Sequence, residues 1–126
     1  MGVFFKIGLW PAAVMILAVS TVGAAAQSIS NGKDVFEDEC AVCHATEANI
    51  NGKGPSLFAV AGTRAATATK FKYSAALINS GVIWTDDQLD LYVKNAKAMI
   101  PGSTMGGKLD DAKARADVVA YIKTLH

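Results

Sequence analysis

Cys40-Ala41-Val42-Cys43-His44 contains both cysteines of this 126-residue chain, and C-x-x-C-H is the pattern by which c-type haem is attached. Two thiols three residues apart on one helical turn can each bond a vinyl group of the same macrocycle, which leaves the adjacent histidine beneath the iron. Other uses of these residues fit less well. A redox dithiol normally follows a strand and opens a helix, whereas the sequence here reads as helical. A structural zinc site needs four ligands. Only Cys40, Cys43, His44 and the distant His126 are on offer, and neighbouring Cys43 and His44 cannot easily share a tetrahedral ion. A disulfide between Cys40 and Cys43 would be cramped and would close almost no loop.

The N-terminus has the plan of an export leader. Met1 to Lys6 carries one positive charge, Ile7 to Val22 is apolar and uncharged for most of its length, and Ala24-Ala25-Ala26 supplies the small residues of a cleavage site. The expectation is a secretory signal over residues 1–26, removed to leave a domain of residues 27–126. The alternative is a retained membrane anchor, since the apolar run is close to spanning length. Cleavage is favoured because only a few residues separate the alanines from the first helix, and a tethered domain would usually have a longer linker.

Residues 27–126 suffice for one small domain. Without Lys6 the 12 basic residues become 11, equal to the 11 acidic ones, so no basic excess points to nucleic acid. A domain of this size has a thin core, and a large planar group held inside it supplies much of the missing apolar contact.

Hydrophobic spacing predicts helices joined by long irregular segments. Val35, Phe36, Glu39 and Cys40 recur at three- and four-residue intervals, predicting a helix from Asn31 to roughly Cys43 that runs into the attachment motif. Gly52 to Thr69 has no period and reads as a wrapping loop. Ser74 to Asn79 predicts a short helix stopped by Ser80-Gly81. Thr85 and Gln88 form a capping box for a helix to about Ala98, with Leu89, Tyr92, Val93 and Ala96 on one side. A last helix from Asp110 to Leu125 aligns Val118, Tyr121, Ile122 and Leu125, with Asp110 and Asp111 at its positive end. No alternation suggests a strand.

A second axial ligand would separate an electron carrier from a haem that binds small molecules. Beyond the leader the candidates are Met99, Met105 and His126. Met105 is favoured: it lies in Pro101-Gly102-Ser103-Thr104-Met105-Gly106-Gly107, a turn-rich stretch that can present a thioether without competing helix packing. Met99 closes a helix, where packing is the ordinary use of methionine.

Trp84, Tyr92 and the run Pro101 to Met105 are spaced as in class I cytochromes c, and Gly54-Pro55-Ser56-Leu57 resembles that family's proline turn behind the histidine ligand. Gly32 and Phe36 with Tyr121 resemble the crossing of its terminal helices. The chain therefore resembles bacterial cytochrome c2, a type close to mitochondrial cytochrome c, over essentially all of residues 27–126. The resemblance implies an all-α fold of several helices and long loops wrapped around one covalent haem c. It implies thioethers at Cys40 and Cys43 and iron ligation by His44 and Met105. It implies that Pro55 accepts a hydrogen bond from the imidazole, that Tyr73 and Trp84 reach a haem propionate, and that Tyr92 hydrogen-bonds near the ligand sulfur.

The implied function is that of a periplasmic one-electron carrier and not an enzyme. Its partners would be membrane redox complexes met transiently: a cytochrome bc1-type donor, and a terminal oxidase, peroxidase or photosynthetic reaction centre as acceptor. A monomer without stable membrane insertion is expected after cleavage. The alternative is a haem protein that binds small ligands at a displaceable methionine.

Three departures bear on docking. Gly107 stands where relatives often carry a shielding aromatic, Thr104 where mitochondrial relatives carry lysine, and Asp110-Asp111 adds negative charge to the same rim. Thr63-Arg64 leaves the place of a propionate-binding arginine one residue uncertain. Lys94, Lys97 and Lys108 are the candidates for a positive patch.

Overall fold

The computed structural model describes residues 2, 3, 8 and 26–126. The expected leader therefore lies almost wholly outside the described residues. Four helices follow in order: α1 (Ile29–Glu39), α2 (Ala75–Ser80), α3 (Asp86–Met99) and α4 (Ala112–Ile122). The expected helical architecture is observed. Each helix opens on a polar side chain that accepts one of its free N–H groups, namely Ser28, Ser74, Thr85 and Asp111. α2 ends at Gly81, whose φ of +67° suits a residue without a Cβ.

α1 packs across α4, so the two ends of the domain hold each other. The approach depends on Gly32: a Cβ there would run into the backbone oxygen of Asp117 and lie 2.9 Å from the Tyr121 Cβ. The Phe36 and Tyr121 rings then meet at 5.5 Å between centroids with a 55° tilt. Phe36, Val118, Val119 and Ile122 are buried at this junction, continuous with Trp84, Leu89, Leu77, Ile100 and Ala65.

Three helices differ from their sequence-based outlines, and α4 is the simplest case, running over Ala112–Ile122 inside the expected Asp110 to Leu125. α1 ends at Glu39, short of the attachment motif, because the N–H groups of Cys40 and Ala41 both converge on the Phe36 carbonyl at 2.9 and 2.8 Å. That shared acceptor breaks the regular ladder. A new turn then forms around the Cys40 carbonyl, which accepts the N–H groups of Cys43 and His44, each at 3.0 Å. The thiols thus share a helical turn, one separate from α1. In α3, Asn95 leaves the helical region, and its side chain accepts the Ala98 N–H at 3.1 Å, recapping the final turn.

Residues 45–74 form a long irregular segment, as expected of a wrapping loop. One contact in it lacks any sequence signal: Gly62–Ala65 pairs with Val82–Trp84 through three backbone hydrogen bonds of 2.8 Å, around an antiparallel bridge between Arg64 and Ile83. Asn49, Ala59, Ala66 and Lys70 adopt left-handed backbone conformations, strained for residues with a Cβ and held by the surrounding structure.

Candidate haem site

The motif turn places Cys40, Cys43 and His44 half-buried side by side at the end of α1. Cys40 packs against the apolar cluster. Burial, reinforced by the neighbouring negative charge of Glu39 and by Cys43, pushes its thiol pKa up to about 11. A redox-active dithiol needs the opposite shift. Among the described residues no group of three or more His, Cys, Asp or Glu side chains is arranged to hold a metal ion.

His44 is fixed from two sides. Its Nδ1–H donates to the Pro55 carbonyl at 2.8 Å, with the tautomer assigned from that contact, and this leaves Nε2 as the free lone pair. Gly54 forms the other wall: a Cβ there would strike Cε1 of the imidazole and lie 2.7 Å from Nδ1. The Gly54 N–H donates to the Cys43 carbonyl at 2.8 Å, tying this turn to the motif. Behind it, Asn51 accepts the Ser56 N–H at 2.9 Å and donates to the Thr69 carbonyl at 3.0 Å, bracing the loop.

Met105 lies in the irregular stretch between α3 and α4. It is half-buried yet does not belong to the apolar cluster, whereas Met99 packs against that cluster. The Trp84 indole is 7 % exposed and meets the Tyr92 ring at 4.9 Å. The Tyr92 hydroxyl shares a 2.6 Å hydrogen bond with that of buried Ser103, two residues before Met105. Trp84, Tyr92 and the methionine loop thus form one connected group. Tyr73 packs against the same apolar cluster, its oxygen accepting the Ala68 N–H at 3.0 Å and its ring edge-on to Phe71 at 4.9 Å. Its O–H proton remains able to donate to an acidic oxygen. Burial raises the pKa of both phenols, so each is a neutral donor at physiological pH.

Several residues here escaped the reading of the sequence. Ser103 carries no periodic signal. Asp117, 3 % exposed, accepts from the Ser28 N–H and from Lys113, one helical turn earlier on α4. Arg115, 7 % exposed, donates to Asp90 across 25 positions of sequence, a contact no local pattern announces. Arg64 is exposed.

The donor set fits a covalently held iron porphyrin. Two thiols stand on one turn, an imidazole has its Nδ1 engaged by the Pro55 carbonyl, a methionine thioether is spared from core packing, and Gly54 shapes the wall the imidazole rests on. The comparisons agree. A family model of cytochrome c matches residues 29–126. A cytochrome c2 of Rhodopila globiformis is 40 % identical over 96 residues, 75 % of this chain and 90 % of that protein. A cytochrome c2 of Blastochloris viridis is 39 % identical over 113 residues, 87 % of each. The solved structure of cytochrome cH from Methylobacterium extorquens superposes with a TM-score of 0.72 at 33 % identity, covering 77 % of this chain and 98 % of that one. The fold is that of a class I cytochrome c, and the chain belongs to the cytochrome c family, whose members carry covalently attached haem c and transfer electrons instead of catalysing reactions.

Proposed function

We propose that this chain is a periplasmic one-electron carrier, with Cys40 and Cys43 as the thioether positions and His44 and Met105 as the axial ligands. The observation that carries the ligand assignment is the His44 Nδ1–H to Pro55 carbonyl contact of 2.8 Å, which commits one ring nitrogen and frees the other for iron. When bound, haem c supplies a ferric/ferrous couple. The chain's part is to hold both ligands still: Pro55 and Gly54 fix the imidazole, and Tyr92 with Ser103 fixes the root of the methionine loop. Ligands that keep their places in both oxidation states add little reorganisation to the transfer. Trp84 and Tyr73 serve as propionate donors, and the apolar surroundings together with a thioether ligand favour the ferrous state.

Export rests on the leader pattern of residues 1–26, with cleavage after Ala26. The carrier is read as a monomer without stable insertion after cleavage; among the described residues no helix is long and apolar enough to cross a membrane. The donor is of the cytochrome bc1 type and the acceptor a terminal oxidase, peroxidase or photosynthetic reaction centre. Lys94, Lys97 and Lys108 are exposed and provide a weak, salt-sensitive docking surface beside the equally exposed Asp110 and Asp111.

The test is to produce the chain in cells competent in cytochrome maturation. Haem staining of a denatured periplasmic band, an N-terminus at Gln27 and the weak near-red absorption of ferric iron bound to methionine are the expected results. Met105→Ala should keep the haem, lose that absorption and bind cyanide or carbon monoxide rapidly. Equally rapid binding by the unsubstituted protein overturns the carrier reading.

A further inference from the structure

The segment that presents Met105 is held only at its two roots. From Thr104 to Lys108 no backbone N–H or C=O pairs within the described residues. The first root is Ser103, whose N–H donates to the Ile100 carbonyl at 2.9 Å and whose hydroxyl meets Tyr92. The second is built around Arg115 of α4. Its Nη1 donates to the Leu109 carbonyl at 3.0 Å and the Asp110 carbonyl at 2.7 Å, while its Nε donates to Asp90 Oδ1 of α3 at 2.9 Å. The Leu109 N–H adds a bond to the Val93 carbonyl at 3.2 Å. Both roots are thereby referenced to α3, through Tyr92 at one end and Asp90 and Val93 at the other.

We propose that Arg115 is a positioning residue for iron ligation: by gripping the two carbonyls at the far root, it sets the fraction of time the loop is closed and so how firmly Met105 keeps its place. The inference rests on Met105 being the sixth ligand. A planar guanidinium is suited to the task because its rigid fork reaches three acceptors at once, and hydrogen bonds from a charged donor are the strong ones. Lysine at this position would offer a point charge with no such fork. A loop that opens more often admits an outside ligand more readily, because the apparent affinity of that ligand scales with the open fraction.

The experiment uses the ferric, haem-bearing protein and titrates imidazole while following the near-red iron–methionine absorption. Arg115→Leu and Arg115→Lys should each bind imidazole about tenfold more tightly, as expected for the loss of hydrogen bonds from a charged group. Asp90→Asn, which spares the carbonyl contacts, should gain only about threefold. Val118→Ala, on the same helix as Arg115 but in the apolar core and making none of the loop contacts, should lower the unfolding temperature and leave imidazole affinity unchanged. Arg115 variants that melt earlier yet bind imidazole as the unsubstituted protein does would show a merely structural role and overturn the proposal. So would an equal gain in Val118→Ala. If Arg115→Leu fails to fold, Arg115→Lys carries the comparison. Absence of the near-red absorption from the unsubstituted protein would instead defeat the ligand assignment, and this inference with it.

Discussion

Asp117 Oδ1 accepts the backbone N–H of Ser28 at 2.8 Å across 89 positions of sequence, fastening the start of α1 to the middle of α4. Lys113 Nζ donates to both oxygens of the same carboxylate at 2.6 Å. These bonds, Lys113 first, hold the Asp117 pKa below its ordinary 3.8.

The folded state therefore prefers Asp117 ionised. Its contribution is complete above the ordinary carboxylate range and fades as pH falls below 3.8 toward the depressed native value. Asp117→Asn should melt earlier than the unsubstituted protein at pH 7, and the gap should close in acid. A gap that stays constant from pH 7 into strong acid would show that the carboxylate charge is immaterial.

Gly32→Val should destabilise the domain by about 2 kcal/mol or more, because the added atoms meet backbone at Asp117 and the fixed Tyr121 Cβ, neither of which can swing aside. Guanidinium unfolding would register this as a lower midpoint at similar slope.

Gly54→Ala and Gly106→Ala make a matched pair. The first added methyl collides with the His44 ring; the second finds nothing within 4 Å. Gly54→Ala should cost about 1–3 kcal/mol and shift the His44 ring resonances. Gly106→Ala should stay within about 0.5 kcal/mol of the unsubstituted protein.

Burial, opposed in part by hydrogen bonds from the Ala68 N–H and with Ser103 respectively, keeps Tyr73 and Tyr92 protonated beyond the ordinary 10.0. Because folding retains these protons, stability falls as pH rises above that value. In an ultraviolet titration, Tyr73→Phe and Tyr92→Phe should each remove absorbance from a phase above pH 10, leaving the ordinary phase intact. Loss from the ordinary phase would contradict the burial of that ring.

The starts of α2, α3 and α4 were legible because capping chemistry is local. Ser74, Thr85 and Asp111 sit where turn-forming side chains precede apolar periods, and the helices begin there. Leu89, Tyr92, Val93 and Ala96 face inward as their spacing predicts. The break after Glu39 was hidden, since the sharing of one carbonyl by two N–H groups leaves no trace in residue type. The same holds for the Gly62–Ala65 pairing with Val82–Trp84, whose partners lie in segments with no strand period. At the site, the turn carrying Cys40, Cys43 and His44 was readable through motif spacing, and the His44–Pro55 contact through the family resemblance. Arg115, Asp90, Asp117 and Ser103 were not, because a charge or hydroxyl buried by partners far along the chain looks like any other until those partners are known.

The junction of α1 with α4 also decides when the domain can close. Its first helix has its main partner in its last, so nearly the whole chain must be present, and a loop of nearly its full length drawn shut, before either helix is secured. A chain truncated before Ala112 has no such closure available. Cys40, one residue beyond α1 and packed on the cluster that this junction completes, gains its final burial only at that moment. The interval between synthesis and closure is when its thiol is most open to modification.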